Sequence, residues 1–181
     1  IIQLNIVSGK QTNISPDTLF VQQFSISPDG NFVAFLGANR NLANFQDRST
    51  FRLFVLKLSD QSLTALPINA NMSLDNIQWL PDVSAVAFSY VDMNSNQEGL
   101  RMYELNTQVI TELAPEKARA YDFYFTPDSA QVAYIDTNGA LILGDVPSGN
   151  GALVATTFTE MSGFSQAGDR LGYILPRSVD A

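Results

Sequence analysis

The chain has 181 residues, 45% apolar and 15% charged, a balance that suits one globular domain with a substantial core. Eighteen acidic against ten basic residues leave a net charge of −8, which repels a phosphate backbone or an anionic membrane surface and argues against a nucleic-acid partner. Cysteine and histidine are both absent, so disulfides, thiolate metal centres, cysteine nucleophiles and imidazole acid-base chemistry are excluded together.

What remains for chemistry is carboxylates, hydroxyls and three lysines, so the expectation is a chain with no catalytic site of its own and no cofactor. No apolar run reaches the roughly 18 residues needed to cross a bilayer, and no charged segment followed by an apolar one opens the chain. Membrane insertion is therefore not expected. The chain starts at Ile1 without methionine, which reads as a processed product or a piece of something longer.

Residues 1–14 (IIQLNIVSGKQTNI) predict a strand, a turn at Ser8-Gly9-Lys10 and a second strand. Residues 26–35 (ISPDGNFVAF) then introduce a pattern that returns at 79–88 (WLPDVSAVAF), 125–134 (FTPDSAQVAY) and 164–173 (FSQAGDRLGY). Its final aromatics, Phe35, Phe88, Tyr134 and Tyr173, stand 53, 46 and 39 residues apart. Such spacings match propeller blades, whose repeats run about 40 to 50 residues.

Within the pattern, Val33, Val86, Val132 and Leu171 form one column, Ala34, Ala87, Ala133 and Gly172 the next, and the aromatics the third. Successive strand residues point to opposite faces, so both faces of this strand are apolar and both must be covered. The large residues fill one layer, and the small one lets the next sheet approach on the other side. Before each strand comes a turn, clearest as Ser27-Pro28-Asp29-Gly30, in which proline presets its backbone angle and aspartate bonds nearby amides.

Third strands follow at 51–58 (FRLFVLKL), 100–105 (LRMYEL) and 140–146 (ALILGDV), and fourth strands near 63–66, 109–113 and 152–156. The predicted fold is therefore all-β: a β-propeller of four-stranded antiparallel blades, complete at 20–67, 74–114 and 120–157. One further blade is split, with its outer strands at 1–14 and its inner strands at 158–175. Three closures fit: a four-bladed ring sealed by its own termini, a homodimeric ring of eight blades, or a fragment of a longer propeller.

The pattern resembles propellers of the TolB and dipeptidyl-peptidase N-terminal type, which carry the same aromatic, Ser-Pro-Asp-Gly, apolar-Ala-aromatic repeat. Residues 26–35 match best, and weaker copies cover nearly the whole chain. The resemblance implies the fold and says little about function. Those families usually have six to eight blades, more than are present here.

Asp29, Asp82 and Asp128 recur once per blade, yet their place in tight turns assigns them local hydrogen bonding and no chemistry. Asp92, Asn94, Asn96 and Glu98 present oxygens at alternate positions, as at the start of a Ca2+ loop. Against that, Gln97 replaces the expected glycine and Tyr103 the closing glutamate, so a solvated hairpin is the stronger reading. Residues 37–50 make the longest connection, with Leu42 and Phe45 among polar groups; two readings stay open, that these side chains fold back over the blade and that they meet a protein partner. In a propeller this loop shares a rim with the Asp92 loop, so Arg40, Phe45, Arg48 and Asp92 are the candidate partner-binding residues. Asn13-Ile14-Ser15 and Asn71-Met72-Ser73 fit the glycosylation triplet and are read as chance matches.

The function expected is that of a non-catalytic propeller, a protein-interaction or structural module in a larger assembly outside the cytoplasm. Two alternatives stay open: the accessory propeller of a larger hydrolase resembling a serine peptidase, and a small-ligand or Ca2+-binding propeller.

Overall fold

The computed structural model describes residues 1–41, 50–114, 118–146, 148, 150–156 and 160–175, with backbone alone for 118–121. Every sheet in it is antiparallel and joins strands adjacent in sequence. A two-stranded sheet opens the chain, made of β1 (Ile2–Leu4) and β2 (Gln11–Asn13). Next come three four-stranded sheets, in the order of the sequence. The first holds β3 (Leu19–Ile26), β4 (Phe32–Asn39), β5 (Arg52–Lys57) and β6 (Leu63–Ala65). The second holds β7 (Met72–Trp79), β8 (Ala85–Asp92), β9 (Glu98–Glu104) and β10 (Ile110–Ala114), and the third β11 (Ala118–Phe125), β12 (Gln131–Asp136), β13 (Leu141–Asp145) and β14 (Gly151–Ala155). A second two-stranded sheet, β15 (Glu160–Phe164) and β16 (Leu171–Ile174), follows.

The three full sheets are the three predicted blades. Each predicted strand is present, with ends shifted by one or two residues; the largest consequence is that β9 starts at Glu98 and leaves only residues 93–97 as loop. The two halves of the split blade are separate sheets at opposite ends of the array, so the termini do not seal a four-bladed ring.

Packing between sheets follows the columns of the repeat. Val33 and Phe35 face the N-terminal half-blade, in a cluster with Ile1, Ile14 and Leu56. Ala34 points the other way, into a cluster with Leu74, Trp79, Val86 and Phe88 of the next blade. The same alternation repeats one blade on, where Ala87 packs against Phe123, Phe125, Val132 and Tyr134. Finally Ala133 meets Met161, with Phe164 and Leu171 alongside. All three alanines are 0% exposed, which leaves no room for a larger group at the closest approach of the sheets.

Two side chains also bridge neighbouring first strands. Trp79 donates its indole Nε1–H to the carbonyl of Ser25 at 3.0 Å, and Gln78 donates from Nε2 to the carbonyl of Phe123 at 2.6 Å. Each first strand also carries an irregularity in its pairing with the second: between Val21 and Gln23, Asp75 and Ile77, Ala118 and Phe123, and Met161 and Gly163. The first strand gains one residue on its partner in three of these and three residues in the β11–β12 pair, and such an excess bends the strand and raises its twist. Its recurrence shows that the bend belongs to the blade and not to any one copy.

Candidate functional site

The end of the molecule that carries the turns between first and second strands is closed by local hydrogen bonds. Asp29 Oδ1 accepts from the Ser27 hydroxyl at 2.6 Å and from the Asn31 amide at 3.0 Å, and the Ser27 hydroxyl oxygen accepts from the Phe32 amide at 2.9 Å. Thr126 and Asp128 repeat the arrangement, with the hydroxyl donating at 2.6 Å and the Ala130 amide at 3.0 Å. At Asp82 the partners are the Ser84 amide and hydroxyl, at 2.9 and 2.7 Å. In the fourth copy the aspartate has moved two positions along, yet Asp169 still accepts from Ser165 at 2.8 Å.

The Ser27 hydroxyl, then the Asn31 amide, holds the Asp29 carboxyl below the usual carboxylate range. Thr126 does the same for Asp128, helped by the Ala130 amide. These carboxylates are acceptors with their oxygens in use, as a turn requires. The left-handed position of the turn is Gly30, Val83, Ser129 or Gly168, with φ of 72°, 63°, 60° and 77°. Only two of the four are glycine, which is why the turn was clearer in the first copy than in the others.

On the opposite rim, Asp92 ends β8 and caps the hairpin to β9. Its Oδ1 accepts from the amides of Asn94 at 2.8 Å and Ser95 at 3.3 Å, while the Asn96 amide donates to its carbonyl at 2.7 Å. Asn96 takes the left-handed conformation, φ 56°, that such a hairpin needs. Asn39 and Asp136 do the same work in the neighbouring blades, accepting from the amides of Asn41 and Asn138 at 3.0 and 2.9 Å. Glu98 pairs with Val91 in the β8–β9 ladder, so Glu98 and Asp92 fall on opposite faces of the sheet. The four oxygens that suggested a Ca2+ loop in sequence are thus not drawn to one side. Among the described residues no group of three or more acidic side chains is placed to hold a metal ion.

Arg40 lies exposed on this same rim, its amide donating to the carbonyl of Thr18 at 2.9 Å. The Met93 amide donates to the carbonyl of Asn71 at 2.9 Å, which ties the Asp92 hairpin to the connection between the first two blades. Met93 is itself 55% exposed. Phe45 and Arg48, with Leu42, lie outside the described residues. Arg40 follows β4 and Asp92 ends β8, so both stand at the end of their blades that carries the connection from the second strand to the third.

One cluster escaped the sequence reading. Arg101 and Glu112 are direct partners across β9 and β10, joined by an ion pair and by a hydrogen bond from Arg101 Nε at 2.5 Å. The guanidinium lies 4.2 Å from the centre of the Tyr90 ring, and Tyr90 donates its hydroxyl to Glu112 at 3.3 Å. Gly99 makes this possible, because a Cβ there would meet the Tyr90 ring at 2.8 Å. Burial, then the charge of Glu112, pushes the Tyr90 phenol above its ordinary value. The signal was present as a glycine and an arginine beside the apolar Leu100, Met102 and Tyr103 of β9. With its charges paired, the cluster locks the outer strands of the second blade.

No family model matches the chain, and no curated protein does either. Solved structures do. TolB from Acinetobacter baumannii matches with a TM-score of 0.61 at 16% identity, over 91% of this chain and 40% of that one. A protein assigned as a dipeptidyl aminopeptidase IV from Bacteroides ovatus matches at 0.60 and 15% identity, over 97% of this chain and 32% of the other. The tricorn protease matches at 0.60 and 13% identity, over 86% of this chain and 14% of the other. At such identities the likeness shows the fold, a β-propeller of the type the repeat predicted. The chain spans less than half the length of each of these proteins.

Proposed function

We propose that this chain is a non-catalytic propeller module that presents one rim to a protein partner within a larger assembly outside the cytoplasm. The observation that carries this is an asymmetry between the two ends of the blades. At one end the conserved geometry of four turns uses its carboxylates locally. At the other, Arg40, Met93 and the Asp92 hairpin stand exposed on connections of unequal length, where blades differ from one another and where a scaffold can vary without disturbing its core. Likeness to TolB supports the placement outside the cytoplasm.

Crosslinking followed by mass spectrometry of the partner-bound chain tests the reading. Contacts should gather on Arg40, Met93 and Asp92, and Arg40→Glu with Met93→Asp should weaken binding at least tenfold with the fold unchanged. Contacts gathered instead on the Asp29, Asp82 and Asp128 turns, with binding indifferent to the rim variants, would sink it.

A second reading follows from the likeness to two peptidases, of which this chain matches only a part. In it the propeller is the accessory domain of a larger hydrolase. Sequencing the native gene decides: a Gly-x-Ser-x-Gly motif on the same polypeptide favours this reading, and its absence counts against it.

A further inference from the structure

Between the first and second blades, at the end that carries the Asp29 and Asp82 turns, a groove of about 490 Å³ opens beside the outer strands. Such a volume is that of a small-molecule site, roughly 300 to 1,000 Å³. One wall comes from β5 and β6 through Val55 and Thr64, and the other from the β9–β10 turn through Asn106 and Gln108. Phe32 and Val83 also line it, both partly buried against the core cluster that the two blades share. Tyr103 reaches the same groove. It is 4% exposed, yet among the described residues its hydroxyl has no hydrogen-bond partner, so only what enters the groove can satisfy it.

The fold does not require that hydroxyl. Tyr103 pairs with Val86 as Leu56 pairs with Val33 and Gly144 with Val132, so the equivalent position is leucine in the first blade and glycine in the third. The corresponding groove between the second and third blades is smaller, about 290 Å³, and differently lined. Glu104 stands there in place of Lys57 and Ala85 in place of Phe32, and Asp82 adds a second carboxylate. No carboxylate lines the groove that holds Tyr103.

Charge and hydrogen-bonding chemistry narrow the ligand. Without a carboxylate the groove offers a cation nothing, and its one lysine, Lys57, already faces Asp60 at 3.6 Å, so an anion gains little. What is left is neutral: the hydroxyls of Tyr103 and Thr64 and the amides of Asn106 and Gln108, side chains with no partner among the described residues. Hydroxyl and amide groups both donate and accept, which matches ligand hydroxyls that do the same. Phe32, Val55 and Val83 beside them suit the C–H face of a ring. We propose that this groove binds a short neutral carbohydrate, its ring C–H groups against those apolar walls and its hydroxyls on Tyr103, Thr64, Asn106 and Gln108. The site lies at the opposite end of the blades from the rim assigned to a protein partner, so it stands apart from the function proposed above.

The probes are the methyl glycosides of glucose, galactose, mannose and N-acetylglucosamine, each at millimolar concentration against the isotope-labelled chain in solution. At least one should shift the side-chain amide signals of Asn106 and Gln108 ahead of all others, with saturation transfer to its own ring protons. Tyr103→Phe keeps the ring and should weaken that binding about fivefold, the worth of one neutral hydrogen bond, with a melting temperature equal to or above that of the unmodified chain. Thr64→Val should act in the same direction, while Glu104→Gln, in the neighbouring groove, should leave binding unchanged. No response to any of the sugars overturns the proposal, as does binding that ignores Tyr103→Phe or that shifts signals elsewhere. A lowered melting temperature for Tyr103→Phe overturns it too, since the hydroxyl would then serve the fold. A response to p-cresol alone would assign the groove to apolar ligands and overturn it equally.

Discussion

Replacing Phe88 with alanine tests whether the repeat's aromatic column holds the blades together. Phe88 is 0% exposed and lies in the cluster shared by the first two blades, flanked across the sheet by Ile77 and Arg101. Truncation removes the buried ring and leaves a cavity that two stiff sheets cannot close, a change that costs about 3 to 5 kcal/mol. Phe88→Leu keeps most of the volume and should cost under about 1.5 kcal/mol. With a urea slope of about 2 to 3 kcal/mol/M, the alanine variant should lower the midpoint by about 1 to 2.5 M. Trp79, the sole tryptophan, belongs to the same cluster, so its fluorescence followed beside circular dichroism reports the junction and the sheets separately. Equal midpoints for the alanine and leucine variants, or a shift below about 0.3 M, would refute the claim that this ring fills the layer between two blades.

Three further outcomes follow. Ala87→Leu inserts bulk at the closest approach of the second and third blades and should destabilise by about 1 to 3 kcal/mol in the same assay; a gain in stability would show a void there. Asp29 and Asp128 have carboxyl groups held below their ordinary value, so their contribution is present above the unfolded value of about 4 and is lost as pH falls through the folded one. The melting temperature of Asp29→Asn/Asp128→Asn should therefore fall less between pH 5 and pH 2 than that of the unmodified chain, and parallel curves would count against the turn bonds. Millimolar calcium should leave the melting temperature unchanged, because Asp92 Oδ1 already accepts from two amides and Glu98 faces the other way; a rise reversed by chelator would restore the cation reading.

Much of the fold was legible because a propeller writes its geometry into short periods. Val33-Ala34-Phe35 states in three residues that both faces of a strand are covered and that one covering sheet sits close. Turn chemistry was legible for the same reason: Ser27 and Asp29 act on atoms within five residues of themselves. Asp92 shows where local reading stops. In sequence its alternation with Asn94, Asn96 and Glu98 suits a cation, but which face each side chain takes depends on where β9 begins, and that depends on pairing with β8. Arg101 and Gly99 stand out in the sequence of β9, but their meeting with Glu112 and Tyr90 lay beyond local reading, since it joins three strands and relies on the space left by Gly99.

By itself the sequence determined the strand order, the blade count, the alternation of large and small columns and the two complementary half-blades, all of which follow from periodicity and nearest-neighbour turn chemistry. Tertiary structure alone decided that the half-blades stand apart, that each first strand breaks its pairing with the second, and that Phe24 and Ile26 are left uncovered where their counterparts are buried. The reason is physical. A strand's pattern encodes that its faces want cover, while the identity of the covering sheet is set by contacts between residues some fifty positions apart.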